Sequence, residues 1–496
     1  MRRVFALLAR TDPHAVTSTG ETALHLAARF HDLDAVSLLL DTGSHPGTPG
    51  LDGTTPLMIA ATANDHAMVR LFLASEGLDL NARNARGETA MHLAIPHGDM
   101  EMLGLFLGTQ GVDLDATARR NYTALHLAVQ GNFILKARRL LAAGITPDAL
   151  NLDGASALHM AAKNGQFGLV QELLREPSVN INLRGIAYGR TALHLAAMSG
   201  NSEVVQALLA RGDCAVGARD NQRLTPLHLA ARAGHHQLMR PLVEAMPALI
   251  NARDDDGNTA LFLATMKDAP EVTQALLALP GIDANLVNKD SESPLIRAAF
   301  EGHVRVLRLL LNVPGIDINH VDNDGYNALH AAGMRGNLVS MREVLRHPDV
   351  NVNMPLNTDG RTALYAAALD GQIEIVRRLV AAPGIEIGVR DLDGNTPLHA
   401  AAASGQPEVV RLLLDAGSPD LDDRGAEGAT PLHRAASHGY SAIVQLLIER
   451  GAELDVLTNH GMTARQVALN NHRQAAADVL AAAEARGVQD ENVRGQ

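Results

Sequence analysis

The sequence predicts an all-α solenoid of stacked helix–turn–helix repeats with hairpin or loop fingers between them. Three observations predict it. First, one short stretch keeps returning, clearest as Thr191-Ala192-Leu193-His194-Leu195-Ala196-Ala197 and Thr225-Pro226-Leu227-His228-Leu229-Ala230-Ala231. Its leading Thr, or a Ser or Asn in its place, stands at Thr22, Thr55, Thr89, Thr123, Ser156, Thr191, Thr225, Thr259, Ser293, Asn327, Thr362, Thr396, Thr430 and Thr463, and neighbouring anchors are always 33, 34 or 35 residues apart. A fixed period of that size marks a supersecondary unit that buries its apolar face against copies of itself. Second, a glycine precedes most anchors by two residues and another follows most of them by nine. Third, the 496 residues are 46% hydrophobic yet contain no Trp and only 3% aromatics. Thin repeats packed through Leu, Ala and Val need no large rings and no single central core.

Taken in order, residues 1–17 form an N-terminal capping half-repeat, with a helix across 1–10 whose Arg2, Arg3 and Arg10 suit the exposed side. The apolar run from Val4 to Ala9 is too short for a signal peptide, and no small-residue cleavage site follows it. The repeat array occupies 18–472. In each copy the turn glycine, as at Gly20, Gly53 or Gly87, answers a demand for φ > 0. Asn121 fills that place readily, Arg223 and Ser291 less so. The anchor hydroxyl suits the N-cap of the first helix, and Pro56, Pro226, Pro294, Pro397 and Pro431 are pre-set for its first turn. Leu two places after the anchor and Ala five places after it face inward. Gly98, Gly165, Gly200 and their counterparts end the first helix in a left-handed C-cap. The second helix carries apolar pairs at helical spacing, such as Val204-Val205 with Leu208-Leu209.

Three places depart from the pattern. The finger His45-Pro46-Gly47-Thr48-Pro49-Gly50 is the least regular, so the first interface is expected to be weak, with the Gly50 amide early to exchange. The turns before Thr191 and Thr362 each hold one extra residue. After Thr463, Arg465-Gln466 replaces Leu-His, which opens a C-terminal cap completed by a helix over 473–486, with a flexible tail at 487–496.

The recurring T-P-L-H-x-A pattern resembles the ankyrin repeat family over roughly residues 18–486. The resemblance implies fingers that project from the stack, and a His, three places after the anchor, that ties the turn of one repeat to its neighbour. It also implies a concave face made of finger tips and the outer side of the first helices, used for protein–protein recognition. Fold by itself does not specify a biochemical role.

Several function classes are disfavoured. A net charge of −13 argues against a general binder of nucleic acid or anionic membranes, and no apolar run approaches the ~20 residues of a membrane helix. Cys214 is the only cysteine, so no intrachain disulfide forms and a reducing compartment is expected. Of 42 lysines and arginines only Lys136, Lys163, Lys267 and Lys289 are lysine. That skew fits a GC-rich genome, hence a bacterial, cytoplasmic protein; the competing reading is lysine avoidance in an effector delivered into a host cell, where it would escape ubiquitin. Nine of the 22 histidines hold the position three after the anchor: His25, His92, His126, His159, His194, His228, His330, His399 and His433. A metal ladder fails on distance, since adjacent helices sit ~8–10 Å apart and zinc ligands lie ~2 Å from the ion; no metal or cofactor is expected. Asp254-Asp255-Asp256 and Asp391 with Asp393 lie in turns, where Asp bonds its own backbone. No phosphate loop, His-Glu-x-x-His or Gly-x-Ser-x-Gly is present. The catalytic alternative, an enzyme or enzyme subunit using Cys214 or a buried His, finds no segment large enough for a catalytic domain.

What remains is binding. On the family pattern the freely varying positions are four, three and one before the anchor, and seven and eight after it. They place Tyr122, Tyr188, Arg190, Met198, Phe300, Tyr326, Met334, Arg335 and Arg361 as candidate contact residues for a partner protein, within a wider set that includes Arg119, Arg120, Leu152 and Leu224. Three of the chain's five tyrosines are among them, and Tyr, Arg and Met are the types enriched at interface cores. Rigid aromatics offer area at low entropic cost, and Arg offers a planar fork for carboxylates. The expected function is a non-catalytic scaffold or adaptor.

Overall fold

The computed structural model describes residues 15–356, 358–417 and 420–494; the capping helix expected across 1–10 lies outside them. Among the described residues there are 28 α-helices, one pair for each anchor, and the only β-type pairings are isolated bridges between Val16 and Thr22 and between Pro355 and Thr362. The chain divides into two compact units, Met1–Asp255 and Asp256–Gln496, where the sequence suggested a single array over 18–472. Seven helix pairs fall in each. A solenoid has no central core to weld its length into one body, because each repeat packs only on its neighbours.

The repeat anchored at Thr191 shows why these residues fold as they do. Thr191 is extended (φ −88°, ψ 171°), the first helix runs Ala192–Ser199, and Gly200 closes it in the left-handed region at φ 74°. The second helix follows as Ser202–Leu209. Leu193, Ala196, Ala197, Val204, Val205 and Leu208 are all buried. The alanines let the next first helix approach closely, and the Val–Leu stripe closes the layer behind them.

Two hydrogen-bonded ladders link the repeats. In the first, His194 Nδ1 faces the Thr191 N–H at 3.2 Å and hydroxyl at 2.9 Å, while Nε2 lies 3.0 Å from the Leu224 carbonyl of the following turn. A carbonyl only accepts, so Nε2 carries the proton and Nδ1 is bare. The same bond joins His25 to the Thr54 carbonyl, His92 to Tyr122, His126 to Ala155, His159 to Arg190, His399 to Ala429 and His433 to Met462, each at 2.9–3.1 Å. His330 breaks the series. Its Nδ1 faces Asn327 Oδ1 at 2.8 Å, and its buried Nε2 has no partner. In the second ladder, side chains near the start of a second helix cap the orphan carbonyls ending the preceding first helix. Gln166 donates to Val129 O (2.7 Å), Asn201 to Ala162 O (2.8 Å), His235 to Met198 O (3.0 Å) and His303 to Thr265 O (2.8 Å). Lys136 does the same for Ile95 and Gly98, its ammonium 2.6 Å from the Gly98 carbonyl.

Several expectations need correcting. Gly98 is not a left-handed cap: its φ is −79°. Glycine is required there because a Cβ would stand 2.6 Å from Met102 Cγ and 2.9 Å from Ala94 O. Arg223 and Ser291 do take the turn conformation, at φ 56° and 57°, where the closing bonds Arg223 N to Asp220 O and Ser291 N to Asn288 O offset the strain. The Gly50 amide donates to Thr54 O at 2.9 Å, so its exchange requires that turn to open. The second helix after Thr225 is broken into a 3-10 turn, His236–Leu238, and a helix, Met239–Ala245. Pro241 lacks the N–H and clashes with the preceding turn. The last helix runs Gln474–Arg494 rather than ending at 486; Gly487 alone costs only ~1 kcal/mol against Ala, too little to stop an Ala-rich helix.

Candidate protein-interaction surface

In each unit neighbouring fingers lie side by side, most of them joined by a backbone bond. Within Met1–Asp255 these include Ala85 N to Asp52 O (2.7 Å), Arg119 N to Arg86 O (2.9 Å), Leu152 N to Arg120 O (2.9 Å), Ile186 N to Gly154 O (3.3 Å) and Asn221 N to Tyr188 O (2.8 Å). The approach is close: a Cβ on Gly154, at φ 71°, would stand 2.5 Å from the Ile186 nitrogen. Arginines add a second tie between fingers, with Arg83 donating to Thr117 O (2.9 Å) and Arg219 to Arg253 O (2.7 Å).

Of the candidate residues in Met1–Asp255, Tyr188, Arg190 and Met198 form one constellation. Tyr188 is 59% exposed, with the Arg190 guanidinium 4.8 Å from its ring centroid. Arg190 Nε donates to Asp220 Oδ2 at 3.0 Å, and its Nη1 lies 3.4 Å from Met198 Sδ. Asp220 is buried and also holds the Gln222 and Leu224 amides at 2.9 and 3.0 Å. Arg190 is therefore not an open fork for a partner's carboxylate; it is locked in place and holds Tyr188 from beneath. Tyr122 stands apart from this group. It is half-buried, its ring tilted against His126 at 5.5 Å, and its carbonyl belongs to the His92 ladder bond. Leu224 is buried, and its carbonyl receives His194, so it leaves the candidate set. Leu152 (67% exposed) and Ile186 (71%) extend the apolar tip surface beside Tyr188. Ile186 escaped the sequence reading because the extra residue before Thr191 shifts it to five places before the anchor.

In Asp256–Gln496, Phe300, Tyr326 and Met334 line one pocket of about 400 Å³, bordered by Asp290, Glu292, Asp322 and Asp324. The Arg335 guanidinium lies 4.3 Å from the Phe300 centroid. Arg297 pairs with Glu292 at 2.5 Å and Glu301 at 3.3 Å. Burial raises the Glu292 and Asp322 carboxyls above their usual range, and burial together with Asp324 and Asp359 raises Tyr326. Tyr326 meets His330 edge-on at 6.2 Å. Arg361 is pulled away from the pocket, paired with Asp359 (3.3 Å) and lying over Tyr365 at 5.1 Å.

The remaining chemistry is inert. Burial, with Asp213 beside it, pushes the Cys214 thiol up to about 11, so it is not a thiolate at neutral pH. Burial lowers the ladder histidines, His194, His330 and His399 to about 4. Among the described residues no group of three His, Cys, Asp or Glu side chains is placed to hold a metal ion, and no helix is long and apolar enough to cross a membrane.

Comparison with known proteins agrees with this architecture. The family described as "Ankyrin repeats (3 copies)" matches residues 2–84, 57–150, 136–220, 212–288, 271–354 and 342–424, and "Ankyrin repeats (many copies)" matches 413–468. The chain belongs to the ankyrin repeat family. Neurogenic locus notch homolog protein 4 of Homo sapiens is 42% identical over 78 residues, 16% of this chain and 4% of that protein. The Neurogenic locus Notch protein of Drosophila melanogaster is 42% identical over 71 residues, 14% of this chain and 3% of that protein. The chain thus spans only a small fraction of the length of these relatives. The crystal structure of the ankyrin repeat domain of Bcl-3, a member of the IkappaB protein family, is 32% identical, covering 46% of this chain and 99% of that one, with a TM-score of 0.42. Ankyrin repeats are generally protein–protein interaction modules.

Proposed function

We propose that this ankyrin repeat chain is a non-catalytic scaffold or adaptor that recognises a partner protein through its finger tips and the exposed sides of its first helices. The observation that carries the reading is the Tyr188 constellation. An aromatic ring 59% open to solvent is held in place by Arg190, itself fixed by buried Asp220 and Met198. Such a ring loses little freedom when a partner covers it, which is how a hot spot gains affinity. Phe300, Tyr326 and Met334 supply a second apolar seat in Asp256–Gln496. A protonated Cys214 and neutral, hydrogen-bonded histidines support a role without catalysis.

The test is affinity capture from native lysate by the full chain, followed by mass spectrometry and titration of each captured partner. Replacing Tyr188, Arg190, Tyr326 and Arg335 together by Ala should weaken binding while the chain stays folded by circular dichroism. Partners retained at full affinity by that variant would remove the assignment.

A further inference from the structure

We propose that the cleft between the fingers bearing Arg86 and Arg119 seats an acidic stretch of the partner polypeptide, and that adjoining apolar side chains of the same stretch lie on Leu152, Ile186 and Tyr188. This rests on the protein-recognition reading and specifies the chemistry of the partner. The cleft has a volume of about 400 Å³; its lining includes Arg83, Arg86 and Arg119 and no acidic residue. Arg83 is tied to Thr117 O. Arg86 and Arg119 are exposed, and among the described residues their guanidinium groups have no ion-pair or hydrogen-bond partner. Their backbones are joined directly, Arg119 N to Arg86 O at 2.9 Å, so two like charges stand on adjacent fingers.

The nearby carboxylates bond to groups other than Arg86 and Arg119. Asp115 accepts from the Thr146 amide (2.8 Å) and hydroxyl (2.7 Å), Glu88 from Asn84 (2.9 Å), and Asp153 pairs with Arg120 (2.5 Å). On a chain of net charge −13, Arg86 and Arg119 are two cations on adjacent fingers without an ion-pair partner among the described residues. Carboxylates are the matching chemistry, since a guanidinium binds them through paired N–H donors. The next finger tips then change character to exposed Leu152, Ile186 and Tyr188. The finger bonds place these tips in sequence beside the arginines, so one extended segment crossing them meets charge first and apolar surface after. That succession favours a polypeptide over a nucleic acid, which has no aliphatic side chains to cover Leu152 and Ile186 and is repelled by the acidic remainder of the chain.

The experiment uses the full chain and fluorescence anisotropy with labelled peptides: an oligoglutamate block joined to Leu-Ile-Phe-Leu, the same peptide with Gln for every Glu, and a uridine oligonucleotide of equal charge. The Glu peptide should bind tightest, with affinity that falls as salt rises. The double variant Arg86→Glu with Arg119→Glu should weaken it by about ten-fold or more and flatten the salt dependence, with an unchanged thermal melt. It should leave the Gln peptide's affinity as it was. Equal affinity of wild type and variant for the Glu peptide overturns the proposal, as does tighter binding of the oligonucleotide. The two readings fail separately. Captured partners that bind the double variant at full affinity end this inference alone, whereas indifference to the four-alanine variant ends the broader assignment.

Discussion

Acid should unfold this chain through its histidine ladder, and His194 allows the effect to be worked out. Its pKa falls from the ordinary 6.5 to about 4, first because burial penalises the imidazolium and despite the Leu224 carbonyl, which favours it. The unfolded state then binds the proton more readily than the folded state, so stability is complete above pH ~6.5 and drains away as pH falls toward 4. At pH 5 the difference for one such histidine is about 2 kcal/mol, and the limit below pH 4 is about 3.4 kcal/mol. The last repeat supplies a non-titrating replacement, because Gln466 Oε1 accepts the Thr463 amide at 2.9 Å, as His194 Nδ1 accepts that of Thr191. The comparison is therefore His194→Gln against wild type, by urea unfolding followed by circular dichroism at pH 7.5 and pH 5.0. The variant should lose about 2 kcal/mol less than wild type over that interval. Parallel stability curves, or an NMR titration of His194 near 6.5, would refute the reasoning.

Four further outcomes are expected. Leu193→Ala should cost about 2–5 kcal/mol as a buried large-to-small change, and His194→Ala less, about 1–3 kcal/mol, as lost hydrogen bonds; chemical denaturation ranks them. Asn327→Thr should raise stability by about 1–2 kcal/mol, because a hydroxyl donating to His330 Nδ1 frees Nε2–H for the next turn and removes the unpartnered Asn327 amide; a lowered melting temperature counts against it. Tyr188→Ala should weaken partner binding by more than ~1 kcal/mol at unchanged melting temperature, as read by calorimetry on a captured partner. Cys214 should react slowly with a thiol reagent at pH 7.5 in the folded chain and quickly in urea, since its thiol sits near 11; fast labelling of the native chain contradicts this.

The repeat, its turns and its inward faces were legible because each follows from one residue's own backbone need. Thr caps, Pro starts, Gly turns, and the period says the rest. The histidine ladder was legible through the family resemblance, which implies that a His three places after the anchor ties one repeat to the next, though His330 departs from it. What stayed hidden lies between copies. Arg190 and Asp220 are 30 residues apart, and only the stacking of the next finger makes them a pair. The capping of helix ends by Gln166, Asn201, His235 and Lys136 was invisible because different residue types do one task. Arg86 sits three places before Thr89, in a position the family pattern marks as free, yet only the folded chain shows that its guanidinium has no ion-pair partner among the described residues.

The ladder also sets the unit in which this chain can change. Most of the histidine bonds leave one repeat and land on the residue just before the next anchor, as from His159 to Arg190 and from His194 to Leu224, whereas His228 reaches Ala252 instead. Excising residues 192–225 joins Thr191 to Pro226 and keeps the spacing from anchor to histidine intact. Excising half that span strands a donor in the core. Gain or loss of one whole repeat is therefore the change in length that the nearest-neighbour packing tolerates, and it moves a finger such as the Tyr188 tip past its neighbours by one whole step. Recognition can then be re-spaced by counting copies, with no new side chain invented.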